Sequence, residues 1–177
     1  MKTLFLTFIS LISLLNLQAQ ELAMANLTSN LDSFIGNRNL TKSNSTYFFA
    51  VNNFELPKVV KELQADARNY NIKEAKVYES SEPAVYNVKL KKGKHTLNLT
   101  YNNNGQILNS KEVYKNIALP VNLRVKLSKK FPDWIFSKTK LTISFNHNNE
   151  TQLIYNITLQ KNNDIKELTI NDKGELI

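Results

Sequence analysis

Ile170-Asn171-Asp172-Lys173-Gly174-Glu175-Leu176-Ile177 closes a stretch that opens at Leu119-Pro120. The stretch reads as a helix start, a helical run ending at Phe131-Pro132-Asp133-Trp134, then alternating strands closed by a Gly turn. An earlier stretch echoes it. Leu56-Pro57 matches Leu119-Pro120, 63 positions on. Tyr86-Asn87-Val88-Lys89-Leu90 matches Tyr155-Asn156-Ile157-Thr158-Leu159, 69 positions on, and Tyr101-Asn102-Asn103-Asn104-Gly105-Gln106-Ile107-Leu108 matches the closing octapeptide at the same offset.

Each copy carries the same physical pattern. Pro57 and Pro120 suit a helix start, where the missing N–H has no helical partner. Val59, Leu63, Ala67 and Tyr70 then fall on one helical stripe, as do Leu123, Leu127 and Phe131, and Pro132 stops the second helix. Residues 72–79 read as a first strand and 80–83 as a turn. Tyr86, Val88 and Leu90 alternate with Asn87, Lys89 and Lys91, and Leu97, Leu99 and Tyr101 alternate with Thr96, Asn98 and Thr100. In the second copy Leu141, Ile143 and Phe145 alternate with Thr142, Ser144 and Asn146. Leu153, Tyr155, Ile157 and Leu159 alternate with Ile154, Asn156, Thr158 and Gln160. The class is therefore α+β: two tandem modules, 54–116 and 117–177, each a helix packed on one face of an antiparallel sheet of about four strands.

Ahead of the modules, Lys2 and the apolar run 4–15 make a signal peptide, cleaved after Ala19. The run is too short to span a bilayer, and no other stretch approaches that length, so the mature chain is not expected to be an integral membrane protein. Residues 20–53 form an N-terminal segment outside the repeat, expected to be partly disordered. Its end, Tyr47-Phe48-Phe49-Ala50-Val51, reads as an extra strand at a sheet edge. The chain has 177 residues and no Cys, so core packing alone must hold it, although export permits disulfides. The formal net charge is +8, or +7 without Lys2. Such a charge on an exported protein suits an acidic partner or an anionic envelope polymer, and the location excludes nucleic acid.

The cadence resembles that of a known family. Tyr101-Asn102-Asn103-Asn104-Gly105-Gln106-Ile107-Leu108, Leu119-Pro120, Phe131-Pro132-Asp133-Trp134, Tyr155-Asn156-Ile157-Thr158-Leu159 and Asn171-Asp172-Lys173-Gly174 together look like the PepSY-like family of exported bacterial proteins, related in fold to β-lactamase-inhibitor protein. The likeness covers residues 54–177 and is firmest over 101–177. The first copy departs from it, with Arg68-Asn69-Tyr70-Asn71 where the family has Phe-Pro-x-Trp. The resemblance implies a periplasmic or secreted, non-enzymatic binding module that inhibits, or serves as adaptor for, another exported protein or peptide. A basic structural protein held at the envelope by charge is the alternative.

No catalytic or metal constellation stands in the sequence. His95 and His147 lie 52 residues apart, and the four glycines form no phosphate loop, which excludes nucleotidylyl transfer. No catalytic residue, metal ligand or cofactor is expected. His95 reads as a partly buried residue on the apolar side of its strand, and His147 as plain surface in an Asn-rich turn. The expected binding residues are the polar side of the strands: Asn87, Lys89, Thr96, Asn98 and Thr100, then Thr142, Ser144, Asn156 and Thr158, with a plain solvated sheet face as the equal alternative. Trp134 reads first as packed between helix and sheet, and joins the binding set on its alternative reading as an exposed anchor at a partner interface.

Overall fold

The computed structural model of the chain describes residues 44–79 and 84–177. The expected signal peptide (1–19), most of the N-terminal segment (20–43) and the expected turn at 80–83 lie outside the described residues. The described spans hold helices α1 (Ser45–Asn52), α2 (Lys58–Asn69) and α3 (Val121–Lys130), and a 3-10 turn at Ile72–Glu74. They also hold strands β1 (Val85–Lys92), β2 (His95–Asn102), β3 (Ile107–Lys115), β4 (Ile135–Asn146), β5 (Asn149–Lys161) and β6 (Asp164–Asn171).

The six strands make one antiparallel sheet in chain order, β1-β2-β3-β4-β5-β6. The class is α+β, but the two expected four-stranded sheets are a single sheet. β3 pairs with β4 from Asn109↔Asn146 to Lys115↔Lys140, so the ladder runs unbroken across the middle of the chain. Alternation decides the faces. Tyr86, Leu97, Leu99, Tyr101, Tyr114, Leu141, Ile143, Phe145, Tyr155 and Ile157 are buried in one core with the apolar stripes of the helices. α2 packs on β1 and β2, while α1 packs on α2, β4 and β5. A leucine-sized side chain buried there contributes about 1.5–3 kcal/mol.

Two expected strands are not strands. Tyr47-Phe48-Phe49-Ala50-Val51 lies within α1. Tyr47 and Val51 are one helical turn apart and both are buried, so tertiary contacts override the β preference of the aromatic run. Residues 72–79 form the 3-10 turn and bends. The Asn71 side chain accepts from Lys73 N–H (3.1 Å), Ala75 N–H donates to Ile72 O (3.0 Å) and Tyr78 N–H to Ala75 O (2.9 Å). These local bonds occupy backbone groups that a ladder would need. The α2 stripe is also rotated from the expected one: Val60, Leu63, Gln64 and Ala67 are buried, while Val59 and Tyr70 are half-buried. In α3 the stripe is Leu123 and Leu127, with Phe131 half-buried at its end.

The repeated octapeptides fold alike down to individual hydrogen bonds. Asn102 Oδ1 accepts from Asn104 N–H (3.0 Å) and Gln106 N–H (2.9 Å), and Asn171 Oδ1 accepts from Lys173 N–H (3.0 Å) and Glu175 N–H (2.9 Å). Gly105 N–H donates to Asn102 O and Gly174 N–H to Asn171 O, both at 3.0 Å. Gly105 has φ +80° and Gly174 φ +74°, the left-handed region that glycine enters without steric cost. Ile107 then returns to pair with Tyr101, and Leu176 with Ile170, again 69 positions on.

Candidate functional site

The register assembles the predicted polar residues on the sheet face opposite the core. One row across the strands reads Asn87↔Thr100↔Asn109↔Asn146, and the next Lys89↔Asn98↔Lys111↔Ser144↔Gln152. A third reads Lys91↔Thr96↔Val113↔Thr142↔Ile154, and a fourth Lys115↔Lys140↔Asn156↔Thr169. Lys138↔Thr158↔Glu167 follows. Nine of the ten expected binding residues thus share one continuous face. The tenth, Trp134, packs against the core, as its first reading had it, with Lys166 Nζ 5.4 Å from its ring.

The face is basic. On the outward positions of β1 to β4 every charged residue is lysine: Lys89, Lys91, Lys111, Lys115, Lys138 and Lys140, all exposed. Among the described residues none of the six has a carboxylate within 4.0 Å, whereas Lys58, Lys92 and Lys161 are paired elsewhere. Two concavities accompany it. One, of about 390 Å³, lies over β1, β2 and β3 and is lined by Asn87, Lys89, Asn98, Thr100, Asn109 and Lys111. The other, of about 310 Å³, lies between residues 116–119 and the start of β4, beside Arg124 and Lys138.

The other face of β3 holds the least expected group in the molecule. Glu112 is fully buried, and its register partners are Leu97 and Ile143. Four side chains converge on it. Tyr47 Oη (2.9 Å) and Ser110 Oγ (3.5 Å) donate to Oε1, and Gln64 Nε2 (2.9 Å) and Tyr114 Oη (2.7 Å) donate to Oε2. Burial pushes the carboxyl above the ordinary range, and the hydrogen bonds, chiefly from Tyr114 and Gln64, oppose this without cancelling it. Burial and then the adjacent Glu112 charge raise Tyr47 and Tyr114 in turn. The cluster ties α1 and α2 to the centre of the sheet. Asn44 adds a second tie, its buried Oδ1 accepting from Ile107 N–H (3.1 Å). Fully buried and bonded to four side chains, Glu112 joins the helices to the sheet.

The histidines differ from one another. His95 is half-buried on the core side, its Nδ1 accepting from Lys115 N–H (3.3 Å), and burial lowers its pKa. His147 is also half-buried rather than plain surface, with Nε2 3.4 Å from Gln106 Nε2. Among the described residues no three His, Cys, Asp or Glu side chains gather as metal ligands, and no helix is long and apolar enough to cross a membrane. Sequence reasoning missed Lys111, Asn109, Lys138 and Lys140 on the outer face, and Glu112 beneath it. β3 reads Asn109-Ser110-Lys111-Glu112-Val113-Tyr114, polar at both parities, so hydrophobicity gives no sign of which side is in. Leu108, an extra residue between Thr100↔Asn109 and Tyr101↔Ile107, also breaks the alternation. Tyr114 was the available signal, since counting back in twos from it puts Glu112 inside.

No family model, curated protein or solved structure matches the chain.

Proposed function

We propose that the chain is an exported, non-enzymatic binding module of PepSY-like type, cleaved near Ala19, which presents the outer face of its sheet to a partner. The observation that supports this is the gathering of nine predicted polar residues on one continuous face, amid lysines that no described carboxylate neutralises. The matched turns at Asn102 and Asn171 support reading the chain as two tandem copies. In that reading the first copy has replaced its opening strand with the 3-10 turn. The resemblance points to another exported protein or peptide as partner, with inhibition or an adaptor role as the outcome. The six lysines favour a second reading, an anionic envelope polymer held by charge.

The test is capture from envelope extract by the full chain, beside a variant carrying Lys89→Glu, Asn98→Glu and Thr158→Glu. The expected result is a component retained by the wild type, released by raised salt and absent from the variant, with the two proteins unfolding at the same urea concentration. Equal retention by both proteins overturns the assignment of the outer face.

A further inference from the structure

We infer that the concavity over β1, β2 and β3 is a subsite for a linear acidic saccharide, a chain of sugar rings bearing carboxylates. The inference rests on the outer face being the binding surface and names the chemistry of its occupant. Lys89 and Lys111 stand in one row with Asn98 between them, two strand spacings or about 10 Å apart along the ladder. Neither has a carboxylate partner among the described residues. The recess of about 390 Å³ that they flank is of a size that holds small ligands.

Charge alone selects an anion. The amides of the lining select which kind. Thr100 Oγ1 donates to Asn87 Oδ1 (3.0 Å), leaving the Asn87 amide N–H groups free to donate. Asn98 Nδ2 reaches Lys111 O at 3.5 Å, leaving Asn98 Oδ1 free to accept. Among the described residues no side-chain hydrogen bond engages the Asn109 amide, which both donates and accepts. Sugar hydroxyls also donate and accept, so they match such a lining. An acidic peptide carries donors only on its backbone N–H groups while its carboxylate side chains accept, so it meets such a lining with fewer donors than a sugar ring does.

The experiment is titration calorimetry of the full chain at low salt with three probes: a galacturonate hexamer, its fully methyl-esterified form and poly-L-glutamate. Three double variants accompany the wild type: Lys89→Gln with Lys111→Gln, Asn98→Val with Asn109→Val, and Lys58→Gln with Lys61→Gln on α2 as a control. Urea midpoints establish that each is folded. The galacturonate hexamer is expected to bind, and the esterified form about tenfold or more weaker, the scale of one or two charge-assisted hydrogen bonds. The Lys89/Lys111 and Asn98/Asn109 pairs should each weaken the hexamer by about tenfold on the same grounds, and the α2 pair should leave it unchanged. Poly-L-glutamate bound as tightly, and indifferent to Asn98 and Asn109, overturns the saccharide in favour of an acidic polypeptide. Equal loss in the α2 pair overturns the subsite in favour of diffuse charge. Absence of hexamer binding also overturns it. In every case the envelope capture with the triple variant reads separately whether the outer face binds at all.

Discussion

Glu112 is the residue on which stability should turn. Replacing it with Ala leaves Tyr47, Gln64 and Tyr114 without their acceptor in a sealed interior, at an expected cost of about 3 kcal/mol or more. Its pH effect runs against the usual one for a carboxylate. The folded value lies above the ordinary 4.5, so the folded state holds the proton more tightly than the unfolded chain does. The group's contribution is therefore fully present below 4.5 and is lost as pH rises through the folded value. Urea unfolding of wild type and Glu112→Gln from acid to mildly alkaline pH should show that decline in the wild type only, with the difference between the two curves isolating the group. Gly174 makes a second test. A Cβ there would stand 3.0 Å from Leu123 Cδ2 and 3.2 Å from Lys126 Cδ, while at Gly105 the nearest atom is 3.4 Å away. Both substitutions carry the left-handed penalty of about 1–2 kcal/mol, so Gly174→Ala should lower the unfolding midpoint more than Gly105→Ala. The glycine turns were legible in the sequence because Asn and Gly at fixed offsets specify local geometry. Glu112 was not, because its role comes from Tyr47 and Gln64, which lie 65 and 48 positions away.

At the scale of elements, α1 shows where local preference gives way. Eight residues are too few for a helix to stand alone in water, and this one has no side-chain cap. Its stability comes from docking: Val51 in the core, the Tyr47 ring edge-on to Phe145 at 5.4 Å, and the Tyr47 hydroxyl on Glu112. Tyr47→Phe keeps the ring and removes the hydroxyl. Amide exchange across 45–52 should then quicken while β2 and β5 stay protected, and global stability should fall by about 1.5–3 kcal/mol. The strands β1, β2, β4, β5 and β6 were legible because their alternation is clean. Residues 72–79 were not, since Asn71 caps a turn there that a strand-like composition conceals. The α2 stripe was misread by one position because Gln64, a polar residue, takes an inside place to reach Glu112.

For the molecule as a whole, the continuous β3–β4 ladder makes the two halves one cooperative body. Trp134 reports on the second half and far-UV dichroism on both, and the two signals should give coincident urea transitions. Leu127→Ala, in the second half, should shift both by an equal amount, corresponding to about 2–5 kcal/mol. Two separable four-stranded sheets would instead have given two transitions. The sequence carried the repeat but not the seam. Neither Asn109↔Asn146 nor Lys115↔Lys140 has any periodic signature, because which strand meets which depends on the path of the intervening chain.

The seating of α1 has a consequence for the order of assembly. Every strand pairs with its neighbour in the chain, so the sheet can zip up through contacts of low sequence separation, the kind that form fast. α1 alone must wait. Its seat includes Phe145 and β5 as well as α2, so a nascent polypeptide halted before β4 leaves Tyr47 with α2 and the Glu112 carboxylate but without the rest of its seat. Until β4 and β5 arrive α1 is only partly covered, and the growing chain carries an aromatic segment of the sort that holdase chaperones grip.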